Sequence, residues 1–128
     1  MLFRSQMEEL KLGTVESKFA DIIWENEPIS SGQLVKLCGQ QLDWKKSTTY
    51  TMLKRLCERG LFQNEKGMVS ALMTKEEFGA AQSEKIIEES FDGSLPAFIA
   101  AFASRKRLSL DDVDEIQKMI DSYRVEGE

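Results

Sequence analysis

The chain has 128 residues, 41% of them hydrophobic and 30% charged, with a formal net charge of −5. That is material for one domain, or a small domain plus an oligomerisation arm, and too apolar for a disordered tail. No apolar run approaches the roughly 20 residues that span a bilayer, and the N-terminus lacks the basic-then-apolar order of a secretion signal. A cytoplasmic location and no membrane partner are therefore expected. There is not one histidine, which removes the commonest general base, the commonest neutral-pH switch and the usual zinc sets. With no glycine-rich phosphate loop and no nucleophile beside an evident base, the expectation is a non-enzyme without cofactor or metal. Cys38 and Cys57 lie beside apolar helix positions and read as buried free thiols rather than a redox pair.

Residues 1–11 carry no firm pattern and read as a frayed lead-in. From Thr14, taken as an N-cap, the spacing Val15, Phe19, Ile22, Ile23 is helical. Pro28 closes that helix. Ser30 or Ser31 then caps a second, short helix with Leu34, Leu37 and Cys38 on one side, and Gly39 to Asp43 is read as the turn that follows.

The segment from Trp44 to Gly60, WKKSTTYTMLKRLCERG, is the most informative. At about 100° per residue, Thr49, Met52, Leu53 and Leu56 form one stripe that must face a core. Ser47, Thr51 and Lys54 point the other way, flanked by Thr48, Tyr50 and Arg55. Hydroxyls, a tyrosine and cations on one exposed face suit phosphates and base edges in a major groove. Taken alone, the segment fits a merely solvated amphipathic helix equally well. The charge distribution favours nucleic acid although the total does not. Residues 44–66 hold six Lys or Arg against Glu58 and Glu65, a balance of +4, while residues 67–128 hold seven basic and thirteen acidic groups, a balance of −6. Gly60 is placed at C′ of this helix.

The period then changes. Leu61 to Glu65 and Met68 to Met73 read as two short strands around a turn at Lys66-Gly67. Three helices followed by a hairpin make a winged helix-turn-helix, with the hairpin as wing. Beyond it, Thr74 to Glu77 is a capping box opening a helix to about Ser90, and Phe91 to Ser94 is a break. Leu95 to Ala103 is a short apolar helix containing Phe98, Ile99 and Phe102. Ser109, with Asp111 and Asp112 behind it, caps a last helix bearing Val113, Ile116, Ile120 and Tyr123. These three helices carry more apolar surface than they can bury against each other, which predicts dimerisation through Phe91, Leu95, Phe98, Ile99, Phe102, Val113, Ile116, Ile120 and Tyr123. The alternative is that they pack back onto the winged helix. The expected fold is mainly α: a winged helix over residues 1–73 and a three-helix dimerisation arm over 74–128.

Several ordered motifs resemble the penicillinase-repressor family of BlaI/MecI/CopY type. They are Leu12, Glu16, Phe19, Ile23 and Trp24; the turn Glu27-Pro28-Ile29-Ser30; and Trp44, Thr48, Thr51, Leu53, Arg55, Leu56 and Gly60 in the third helix. Further along come Glu76-Glu77-Phe78, the Gly-Ser-Leu at 93–95 and Leu108-Ser109. The likeness covers residues 12–123. Each match alone is common; the ordered series is specific. It implies a homodimeric transcriptional repressor that binds a palindromic operator in double-stranded DNA. The exposed side of the third helix and the wing turn supply the expected contacts: Lys45, Lys46, Ser47, Thr48, Tyr50, Thr51, Lys54, Arg55 and Lys66. In antibiotic-responsive members a sensor-linked protease cuts an Asn-Phe bond in the arm; here the matching bond is Ala101-Phe102, with the asparagine lost. Copper-responsive members carry a cysteine-rich tail that this chain lacks. Where the family commonly has Ser-Pro before the third helix, this chain has Lys45-Lys46. Its wing reads Gly67 to Leu72 without the usual arginine and paired tyrosines, leaving Lys66 as the evident phosphate contact. A second reading, from the acidic total charge, is a winged helix that binds protein and not DNA.

Overall fold

The computed structural model describes residues 12–124; the lead-in expected over 1–11 lies outside them. The chain divides into two compact units, one running to Ile86 and the other from Ile87. In order, the elements are α1 (Thr14–Asn26), β1 (Ile29–Ser30), α2 (Ser31–Leu42), α3 (Lys46–Glu58), β2 (Phe62–Glu65), β3 (Met68–Ala71), α4 (Lys75–Phe91), α5 (Leu95–Arg105) and α6 (Leu110–Ser122). The mainly helical winged-helix architecture followed by C-terminal helices agrees with the expectation.

In the first unit the stripes predicted from spacing meet in one core. Phe19, Ile22 and Ile23 of α1, Leu34 and Cys38 of α2, and Leu53 and Leu56 of α3 are buried with Leu61, Phe62, Val69 and Phe78. Val15 departs from its stripe and is 52% exposed, one turn before that core begins. Thr14 is not the cap of α1. Gly13 holds that position in extended conformation, and its N–H donates to the Glu16 carboxylate at 3.1 Å, so the acid three residues on replaces a capping hydroxyl. Ser30 caps α2, its Oγ accepting from the Gln33 N–H at 3.1 Å.

Two local differences have clear causes. Gly39, Gln40 and Gln41 belong to α2, which runs on to Leu42 because Leu42 packs against the core. The turn into α3 shrinks to Asp43, Trp44 and Lys45, and Asp43 takes the left-handed conformation (φ 57°, ψ 39°) that ends α2. The hairpin also gains a third strand. Ile29 and Ser30 pair antiparallel with Val69 and Met68, giving a sheet ordered β1-β3-β2. Burial of Ile29 anchors that short strand.

Asp92 (φ 50°) and Gly93 (φ 78°) break the chain after α4. Ser94 caps α5 through the Ala97 N–H, and Ser109 caps α6 through the Asp112 N–H. Phe98 stacks edge-on against Phe91 at 5.4 Å and lies 6.4 Å from Phe102. No residue of α5 or α6 is buried.

Candidate nucleic-acid interface

Helix α3 is seated by its apolar side and by one self-satisfied polar group. Thr49 is 1% exposed, and its Oγ1 donates to the Lys45 carbonyl at 3.2 Å, so the hydroxyl enters the core without an orphaned hydrogen bond. Phe19 packs against Trp44 at 5.3 Å, which fixes the short turn between α2 and α3. With Thr49, Leu53 and Leu56 inward, the opposite side is forced into solvent. Lys46, Ser47, Thr48, Tyr50, Thr51, Lys54 and Arg55 are exposed, as is Lys45 just before them. The helix therefore presents as one surface all the residues that spacing assigned to it.

The N-terminus of α3 is electrostatically unusual. Lys45 occupies the cap position in extended conformation and makes no side-chain cap, and the first turn holds no acid. Lys45 and Lys46 thus stand where the helix macrodipole is positive, each unfavourable by about 0.3–1 kcal/mol when exposed. Among the described residues, neither they nor Lys54 or Lys66 takes part in an ion pair. Arg55 differs: its guanidinium is 3.9 Å from the Glu16 carboxylate, which Arg59 approaches more closely, at 3.2 Å. Arg55 keeps a half-exposed side chain, whereas Arg59 ties α3 to α1.

The wing turn lies in the same unit. Lys66 (φ 52°) and Gly67 (φ 85°) both have positive φ, as a two-residue hairpin turn demands. Asn64 Oδ1 accepts from the Gly67 N–H at 3.1 Å and holds that turn closed. The Gly67 carbonyl accepts from the Ser31 N–H at 2.8 Å, so the wing turn is joined to the first residue of α2. Tyr50 completes the connection, its hydroxyl donating to Ser31 Oγ at 3.0 Å. A shallow groove of about 390 Å³ runs between α3 and the wing, lined by Tyr50, Leu53, Lys54, Cys57 and Asn64.

Ser31, Asn64, Glu16 and Arg59 are the structural partners that spacing did not reveal in this role. Asn64 had a local signal, three residues before a glycine in a turn. The Ser31–Tyr50 and Glu16–Arg59 pairs span 19 and 43 residues and have none. Both cysteines are free, Cys38 buried and Cys57 half-buried. Burial pushes both thiols up from their ordinary range, and the Glu58 charge adds to that at Cys57. At neutral pH they are protonated and poor nucleophiles.

The other predicted sites fall in the second unit. Ala101 and Phe102 lie inside α5, both exposed. Of the nine apolar positions assigned to dimerisation, Leu95, Phe102, Val113, Ile120 and Tyr123 are exposed, and Phe91, Phe98, Ile99 and Ile116 half-buried. Among the described residues, no helix is long and apolar enough to cross a membrane, and no cluster of His, Cys, Asp or Glu has the arrangement of a metal site.

The chain is similar to known regulators along nearly its whole length. It is 21% identical over 114 residues to the methicillin resistance regulatory protein MecI of Staphylococcus aureus strain Mu50, covering 86% of this chain and 93% of that protein. It is 20% identical over 118 residues to the penicillinase repressor of Bacillus licheniformis, covering 89% and 92%. A MecI from Mammaliicoccus sciuri is 20% identical over 114 residues, covering 86% and 93%. The family described as penicillinase repressor matches residues 12–122, which takes in every element from α1 to α6. This chain belongs to the penicillinase repressor family.

Proposed function

We propose that this protein is a cytoplasmic transcriptional repressor that binds a palindromic operator in double-stranded DNA as a homodimer, without enzymatic activity. The observation that carries the reading is the exposed face of α3, where hydroxyls, a tyrosine and unpaired lysines share one surface of a helix-turn-helix. Thr48, Tyr50, Thr51 and Lys54, with Ser47, form the groove-lining set; Lys45, Lys46, Arg55 and Lys66 hold phosphates. Unfavourable cations at the start of α3 are explained if phosphates neutralise them on binding. The proposed dimer uses the apolar residues of the second unit.

A mobility-shift or anisotropy titration over salt tests this. Affinity for operator duplex should fall steeply as salt rises, because phosphate contacts release counterions. Lys46→Ala should weaken all sequences alike and reduce the salt slope by about one, whereas Thr51→Ala should change which sequences are preferred, by about 1–3 kcal/mol at a contacted pair. If both variants match the wild type on operator, α3 is not the reader. If the wild type shows no salt-dependent binding to any duplex, the chain is a protein-interaction module instead.

Release from DNA is proposed to run through the arm, by a sensor-linked protease cutting Ala101-Phe102. That bond lies inside α5, so a protease that needs an extended substrate must first unwind this helix. Immunoblotting cells before and after a cell-wall antibiotic tests it. Persistent full-length protein alongside induced target genes would rule cleavage out.

A further inference from the structure

The contact between Tyr50 and Ser31 restricts what Tyr50 can read. A tyrosine hydroxyl has one proton to give and lone pairs to receive with, so a free Tyr50 would pair with donor and acceptor base edges alike. Here the hydroxyl donates to Ser31 Oγ at 3.0 Å. The direction follows from chemistry: the phenol is the more acidic donor, and its oxygen, conjugated with the ring, is the weaker acceptor. The backbone of Ser31 is held in place. Its own N–H is held by the Gly67 carbonyl at 2.8 Å, and Ser30 Oγ next to it caps α2. The Tyr50 ring is fixed in turn by its place on α3 between buried Thr49 and Leu53. Tyr50 remains 36% exposed while its hydroxyl donates to Ser31 Oγ, which leaves the phenol oxygen's lone pairs to accept.

We infer that Ser31 makes Tyr50 an acceptor-only reader, so that at one operator position the protein prefers a base whose major-groove edge donates: adenine through N6 or cytosine through N4, over guanine or thymine. This rests on the proposed reading of DNA by α3. Ser31 is the positioning residue and Tyr50 the group that touches the base. The same serine joins α3 to the wing turn through its backbone, so the orientation of Tyr50 is referred to the whole winged helix and not to α3 alone.

The experiment is selection from a randomised duplex library by full-length wild type, Ser31→Ala, Tyr50→Phe, the double variant and Ser31→Thr, with the melting temperature of each recorded. Wild type should show one position where amino bases outcompete keto bases. Ser31→Ala should reduce that discrimination about two- to tenfold, the worth of one neutral hydrogen bond, while total affinity for the selected pool stays close to wild type. Tyr50→Phe should abolish it, the double variant should match Tyr50→Phe, and Ser31→Thr should restore it. These effects should appear without a fall in melting temperature, because Ser31 is not a core residue. The inference is overturned if Ser31→Ala keeps the wild-type profile, or if no amino-over-keto position depends on Tyr50, while salt-dependent binding persists. A wild type that enriches no sequence and shows no salt dependence overturns the DNA-reading function, and this inference with it.

Discussion

At the scale of single residues, the candidate interface is built by substituting one kind of satisfaction for another. Thr49 is polar yet sits in the core because it donates to a carbonyl one turn back. Lys45 is the reverse, a cap position filled by a side chain that caps nothing. Replacing it with serine should supply the missing acceptor to the first turn of α3 and remove an adverse charge, together worth about 1 kcal/mol and a few degrees of melting temperature. The same change should lower operator affinity at low salt and reduce the salt slope by about one. Thermal melting and a salt titration on Lys45→Ser check both arms. Stabilisation together with weakened binding identifies Lys45 as retained for phosphate. A loss of stability shows instead that Lys45 is retained for folding and not for phosphate.

At the scale of elements, spacing located what is periodic and missed what is not. The inward stripes of α1, α2 and α3, the hairpin around Lys66-Gly67 and the caps at Ser94 and Ser109 were legible because each rests on local geometry. Strand β1 was not: two residues carry no period, and Ile29 pairs with Val69 across 40 positions. The extension of α2 through Gly39 was hidden for a different reason, since poor helix propensity was outweighed by the packing of Leu42. On the candidate site, the exposed set of α3 was legible and its cross-links through Ser31 were not. The start of α4 shows a cap readable at both scales. The Thr74 N–H donates to the Glu77 carboxylate at 3.0 Å, and the Glu77 N–H donates to Thr74 Oγ1 at 3.0 Å. The backbone N–H of Thr74, followed by its hydroxyl, holds Glu77 below the ordinary glutamate range. A lowered folded pKa contributes stability above the unfolded value and loses it as pH falls through the folded one. Wild type should therefore be more stable than Glu77→Gln at neutral pH, and the gap should close below the glutamate range. Melting curves from pH 7 to pH 3 check this; a gap that persists at the acid end means the cap does not depend on ionisation.

At the scale of the whole molecule, the two units differ in kind. The first buries an aromatic and aliphatic core from three helices, a sheet and Phe78. The second has stacked phenylalanines but no buried residue in α5 or α6. Along α6 and its C-cap, Val113, Ile116, Ile120 and Tyr123 recur at helical spacing, with Val113 43%, Ile120 47% and Tyr123 79% exposed. An apolar stripe left open in one copy is stabilised by covering it, at about 25 cal/mol per Å² of apolar surface removed from water, and a second copy offers an identical stripe about a two-fold axis. Ile120→Asp separates this from internal packing. In a lone chain the side chain is already half in water, so the change should cost little and leave the melting of the first unit intact. In a two-fold dimer it adds a carboxylate from each copy to an apolar seam. Sedimentation should then move from dimer to monomer at micromolar concentration. Affinity for a palindrome with half-sites about one helical turn apart should fall by about 10²–10⁴, as the second head loses its tether. Affinity for a single half-site should be unchanged, because the residues of α3 are untouched. If Ile120→Asp remains dimeric with wild-type affinity for the palindrome, the stripe of α6 is not the seam.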